Sequence, residues 1–93
     1  MRITPTDIRQ QLMDLGLLPP QLAISDTESL MDAAVIDSLN LADFVVQLER
    51  TYGISVELND LTPDSFDSIA NIVRFVNGKI NALERTGGSG IAT

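Results

Sequence analysis

Three stretches of this chain repeat apolar residues at helical spacing. In the first, Ile8, Leu12 and Leu15 follow Thr4-Pro5-Thr6-Asp7. Thr4 can cap a helix, Pro5 suits its first position and Asp7 can close a capping box. Gly16 and then Pro19-Pro20 stop it, so the pattern predicts a helix over 5–15. In the second stretch, residues 38–52, Leu41, Val45, Leu48 and Tyr52 form one face, Phe44 widens it, and Gly53 ends it. A narrower stripe of Leu39, Ala42 and Val46 lies well round the cylinder, flanked by Asn40, Asp43, Gln47 and Arg50. Two separate stripes mean either a helix buried on two sides or one with an exposed apolar face. The third stretch opens with Asp67 as its N-cap and places Ile69, Ile72, Val73, Val76, Ile80 and Leu83 on one face, with Phe75 near its edge. Lys79 and Arg85 follow toward its C-terminal end, where the helix dipole favours cations.

Between these helices the periodicity lapses. Residues 17–36 read as a surface loop pinned by Leu17, Leu18, Leu22, Ile24, Leu30, Val35 and Ile36, with a short turn near 27–32. Ile54-Ser55-Val56-Glu57-Leu58 alternates like a strand, but no second strand is evident to pair with it. It reads as an extended connector with Ile54, Val56 and Leu58 turned inward. A short helical turn from Asn59 or Asp60 follows, then a helical piece around 63–66 led by Thr62-Pro63. The fold class is all-α, a small four-helix bundle of three long helices and one short, with a long loop between helices one and two. Residues 1–85 form this domain, and 86–93, with Gly87-Gly88-Ser89-Gly90, are expected to be a disordered tail.

Composition narrows the chemistry. The chain has 93 residues, 44% of them hydrophobic, with no Trp, one Tyr and three Phe, which fits one domain with a largely aliphatic core. Its apolar stretches are too short to span a bilayer, and no basic-then-apolar leader opens it, so the expectation is a cytoplasmic protein without membrane insertion. There is no Cys and no His. A disulfide, a thiolate zinc site and a Cys or Ser/His nucleophilic dyad are therefore excluded in cis. Net charge is -7, which argues against a nucleic-acid partner. The acidity is concentrated: residues 26–67 carry ten acids and one base, -9, while the flanks carry three acids and five bases, +2. That segment reads as a solvated surface or as a docking surface for basic partners. The acids of 26–37 lack the glycine and ligand spacing of a calcium-binding loop, and no metal site is expected.

One residue stands out against this background. Ser38, in Asp37-Ser38-Leu39, sits where the long loop ends and the second helical pattern begins. A hydroxyl there faces water, and the first N–H groups of a helix lack partners within it, a setting that suits a phosphate. Asp-Ser before a helix is also a common capping pattern.

Taken with the order of elements, these residues resemble the acyl carrier proteins of the phosphopantetheine-attachment family. The resemblance covers roughly residues 4–82. It is carried by Asp37-Ser38-Leu39, by the helix through Phe44, Val45 and Leu48 to Tyr52-Gly53-Ile54, and by Leu61-Thr62-Pro63-Asp64-Ser65-Phe66-Asp67-Ser68-Ile69. It implies that Ser38 receives 4'-phosphopantetheine from coenzyme A through a phosphopantetheinyl transferase, and that Asp37 belongs to the motif this enzyme reads. The arm brings the thiol that the chain lacks, and acyl groups ride on it as thioesters to and from acyl-loading and acyl-accepting enzymes. The protein itself is then not an enzyme. Asp37 beside a phosphate is electrostatically unhelpful; helix capping or a transferase-bound magnesium ion accounts for it better. Leu39, Ala42 and Val46 match positions such carriers present to partners, with Asn40, Asp43, Gln47 and Arg50 as a polar rim. Phe44, Leu48, Tyr52, Ile54 and Ile72 partly line the space where an acyl chain hides, or simply pack as core. Brief contacts with successive enzymes favour a monomer.

The departures matter too. Many members place a glycine shortly before the Asp-Ser pair, where this chain has Val35-Ile36, and many fatty-acid carriers have acids where it has Asn40, Gln47 and Arg50. These point to a specialised carrier. Two alternatives stand beside an acyl carrier: an aminoacyl or D-alanyl carrier loaded by an adenylating enzyme, and an acidic helical adaptor that is never modified.

Overall fold

The computed structural model describes residues 2–89, with side chains through Arg85. Its helices are α1 (Pro5–Asp14), α2 (Asn40–Tyr52), α3 (Pro63–Phe66) and α4 (Ile69–Ser89), with a 3₁₀ turn at Leu58–Asp60. The all-helical bundle expected from the sequence is thus observed, and no strand occurs among the described residues. Helix α1 packs on both α2 and α4, and α3 packs on α4. Helix α4 runs through Ser89, so the backbone of 86–89 is helical where the sequence predicted a tail; residues 90–93 of that tail lie outside the described residues.

Local chemistry sets α1 as expected. Asp7 Oδ2 accepts the Thr4 N–H at 2.8 Å, and Thr4 Oγ1 accepts the Asp7 N–H at 3.4 Å. Each satisfies a donor that the helix start leaves orphaned. Gly16, at φ +75°, turns the chain out of the helix.

The long loop is packed down by its apolar anchors and by polar ties. Leu18, Ile24, Leu30, Val35 and Ile36 are buried, while Leu22 stays exposed. Arg9 Nη2 donates to the Ile24 carbonyl at 2.7 Å and to Asp26 Oδ1 at 2.6 Å, latching the loop to α1. The Asp26 carbonyl accepts the Ala70 N–H at 2.8 Å and so joins the loop to α4. A single helical turn then ends when the Leu30 carbonyl accepts the Val35 and Ile36 N–H groups, at 2.9 and 3.2 Å. Ala34 closes this turn at φ +60°, in the left-handed region, where a Cβ is unfavourable. Ala34→Gly should therefore raise stability by about 0.5–1 kcal/mol, after the larger unfolded-state entropy of glycine is deducted. Urea unfolding would measure it.

Three expectations are corrected here. Asp67 does not cap α4; Ser68 does, its Oγ accepting the Asn71 N–H at 3.1 Å and its carbonyl the Ile72 N–H at 3.0 Å. Asp67 is drawn instead to the long loop. Its carboxylate accepts from Ser29 Oγ at 2.9 and 3.0 Å and from the Met31 N–H at 3.2 Å, and its carbonyl accepts the Leu30 N–H at 2.7 Å. Leu58 is 83% exposed rather than turned inward, because the 3₁₀ turn that begins there breaks the alternation; Ile54 is buried and Val56 half-buried as expected. Lys79 serves a side-chain partner rather than a helix end. Its Nζ lies 2.8 Å from Asp60 Oδ2 and 5.6 Å from the centre of the Phe75 ring.

That ammonium, with the Glu57 N–H, holds the Asp60 carboxyl below the ordinary carboxylate range. The stabilisation is then present above the unfolded-state value of about 4 and is lost as pH falls through the lower folded-state value. Lys79→Met should make the acid limb of the stability–pH curve less steep, as read by melting temperature between neutral and strongly acid buffer.

The core runs between α1, α2 and α4, with α3 as its lid. Phe44, Leu48, Ile69, Ile72, Ile8 and Leu12 are all fully buried. Phe66, from α3, stands edge-on to Phe44, with centroids 6.5 Å apart at 84°, and leans on Phe75, 5.1 Å away. At the other end, the Asn77 side-chain amide pairs with the backbone of Ile3, accepting its N–H at 2.8 Å and donating to its carbonyl at 3.1 Å.

Candidate functional site

The start of α2 is built by Asp37. Its Oδ1 accepts the N–H groups of Leu39 and Asn40, both at 2.8 Å, and its carbonyl accepts the Leu41 N–H at 3.0 Å. Asn40 answers by accepting the Asp37 N–H on Oδ1 at 2.8 Å and donating from Nδ2 to the Val35 carbonyl at 3.2 Å. The result is a reciprocal capping box with Asp37 as cap. Ser38 is thereby fixed as the first residue inside the turn, exposed, one position before the exposed Leu39.

This geometry changes one part of the sequence reading. The N–H groups expected to be open to a phosphate at the helix start are not all open: the Asp37 carboxylate holds two of them. A charged acceptor linked to the same backbone outcompetes water for these donors. Asp37 is thus a cap, and its negative charge is spent locally on two amides rather than aimed at Ser38.

The structure sorts the seven rim and stripe residues into two groups. Leu39 (86% exposed), Ala42, Asp43, Val46 (43% exposed) and Arg50 face outward, so the second stripe is an exposed apolar face rather than a second buried one. Asn40 and Gln47 are half-buried and turned to their own chain. Asn40 completes the cap. Gln47 Nε2 donates to Gln11 Oε1 at 2.7 Å and stitches α2 to α1. Nothing local in the sequence marks Gln11 for such a role: it is a polar residue about 100° round the helix from buried Leu12. Leu15, Asp43, Val46, Gln47, Arg50 and Thr51 line a groove beside the exposed face.

Around Phe44, Leu48 and Ile72 the interior expected to shelter an acyl chain is filled, whereas Tyr52 is half-buried and Ile54 also lines an open, mainly apolar groove with Ala82 and Leu83. Phe44, Leu48 and Ile72 are each 0% exposed, and the ring of Phe66 occupies the space beside Phe44. Among the described residues no group of three or more acidic, His or Cys side chains is arranged to hold a metal ion, and no helix is long and apolar enough to cross a membrane.

A family model described as a phosphopantetheine attachment site matches residues 6–76. The chain is also similar to D-alanyl carrier proteins of Streptococcus pyogenes serotypes M5 (strain Manfredo), M49 (strain NZ131) and M1, at 37% identity over 49 residues in each case. The aligned segment is 53% of this chain and 62% of each relative, so the chain spans about three fifths of the length of the curated relatives it matches.

Proposed function

The chain belongs to the phosphopantetheine-attachment family, and on that premise we propose that Ser38 bears the prosthetic group and that the protein carries a small polar acyl unit, an aminoacyl group of the D-alanyl kind, between partner enzymes. The family's group is 4'-phosphopantetheine, which supplies when attached the thiol on which cargo rides as a thioester. The residues present fit it. Ser38 offers an exposed hydroxyl at a helix start, and among the described residues no hydrogen bond to that hydroxyl needs breaking. The observation that carries this reading is the cap: Asp37 and Asn40 hold the Ser38 backbone rigid while leaving its side chain in water.

The chain's own residues then have distinct tasks. Ser38 Oγ would take the place of the adenosine 3',5'-bisphosphate that leaves coenzyme A as its pyrophosphate bond breaks, and its proton would pass to a base on the transferase, since this chain contains no imidazole. Asp37 fixes the backbone that carries that hydroxyl. Leu39, Ala42 and Val46 meet partner enzymes, with Asp43 and Arg50 at the rim, and the surrounding acidity steers basic partners toward them. The filled core and the likeness to D-alanyl carriers support a cargo that stays outside the bundle.

The test is intact mass and peptide mapping after incubation with coenzyme A, magnesium and a broad-specificity transferase, followed by loading with an adenylating enzyme supplied with D-alanine or with a fatty acid. One added arm on the Ser38 peptide and thioester formation with the amino acid are expected. An arm elsewhere, or none, would remove the attachment claim; exclusive fatty-acyl loading would remove the cargo claim. Leu39→Ala should leave stability unchanged, because the side chain is 86% exposed, while lowering the transferase kcat/KM about tenfold through lost apolar contact.

A further inference from the structure

We infer that Phe66 closes the interior of this protein to fatty chains, so that it, rather than the attachment point, sets the class of cargo: short, polar acyl groups that remain on the arm in water. This rests on the carrier reading above and deepens it. Phe66 is the buried residue of the four-residue α3, and its ring touches rings on two other helices, Phe44 of α2 edge-on and Phe75 of α4 at 5.1 Å. It thus fills the seam between α2 and the α3–α4 corner, in the same buried cluster as Leu48, Ile69 and Ile72. An interior packed this way has no room for added methylenes unless a ring moves.

The ring is also held against moving. Phe66 donates its N–H to the Thr62 carbonyl at 3.1 Å, and Pro63 fixes the first residue of α3. The very next residue, Asp67, is bonded to Ser29, Leu30 and Met31 of the long loop. Swinging α3 outward would break these bonds together. A cargo of few carbons and a charged amine gains nothing by entering; a fatty chain would gain and is refused.

The experiment uses the full chain carrying the arm, loaded with octanoyl or with alanyl, and compares the rate of thioester cleavage by hydroxylamine with that of the same thioester on free pantetheine. For the wild type both loaded forms should react at the rate of the free thioester, with no shift of the Ile69 and Ile72 amide resonances between the octanoyl and unloaded forms. In Phe66→Ala, the space left beside Phe44 and Ile72 should admit the octanoyl chain, slow its cleavage about tenfold and shift those two amides, since even a few buried methylenes give such a factor. Phe66→Leu, a milder change that keeps the core apolar, should give a smaller slowing of the same sign. Protection of octanoyl in the wild type would overturn the inference, as would folded variants with no change in rate. A chain that accepts no arm would instead overturn the attachment claim and take the inference with it.

Discussion

Ser38→Ala should fold as the wild type does and gain no phosphopantetheine. The substitution removes one exposed oxygen at the first position of a helical turn whose cap lies elsewhere. The bonds that build the turn run from Asp37 to Leu39, Asn40 and Leu41, and none of them uses the Ser38 side chain. Stability should therefore stay within about 0.5 kcal/mol, the usual range for a surface change away from special features. The chemical effect is total, because Oγ is the atom that would form the new bond and no neighbouring thiol or imidazole can stand in for it. Intact mass with and without transferase reads the second claim, and urea unfolding the first. An equal mass gain in both proteins would place the arm on another residue. The complementary variant is Asp37→Ala, which should keep the nucleophile yet cost about 1 kcal/mol of cap and lower the modification rate by loosening Ser38.

The largest stability loss should come from Phe44→Ala. Phe44 is fully buried on α2 and supports the edge of the Phe66 ring. Truncating a buried phenylalanine costs about 3–5 kcal/mol, transfer energy and residual cavity together. A domain of this size has only about 5–10 kcal/mol in hand. The melting temperature should fall by about 15–30 °C, at the several degrees per kcal/mol expected for a small domain. Leu58→Ala is the control: that side chain is 83% exposed and its loss should be nearly silent. A Phe44→Ala protein that melts within a few degrees of wild type would show that α3 collapses readily onto the vacated space, and would weaken the view of Phe66 as a fixed plug.

What could be read in advance depended on the sequence distance of the partner. The Thr4–Asp7 box is an i to i+3 pairing, so its spelling is visible in the chain. The same holds for Gly53, left-handed at the end of α2, and for the apolar face around Phe44 and Leu48. Asp37-Ser38 announces a helix start but not which residue caps it; the answer lies in Asn40, whose amide closes the box from three residues on. Asp67 and Ser68 are two adequate caps side by side. The choice between them is made by Ser29 and Met31, some 36–38 residues away, and nothing local reports that. Gln47 looked like a rim residue because its partner, Gln11, is on another helix. Ala34 carries no sign at all of its left-handed backbone, since neither glycine nor asparagine marks the position. The aromatic junction of Phe44, Phe66 and Phe75 joins three helices and emerges only when they pack.

The two bonds between Asn77 and Ile3 bear on how the protein tolerates handling. They make the third residue of the chain a structural member, sewn to the middle of the final helix across 74 positions. Trimming by an aminopeptidase past Ile3 would orphan the half-buried Asn77 carboxamide and fray the approach to the first helix. A nested set of proteins clipped from the leading end should show stability dropping abruptly once Ile3 is gone.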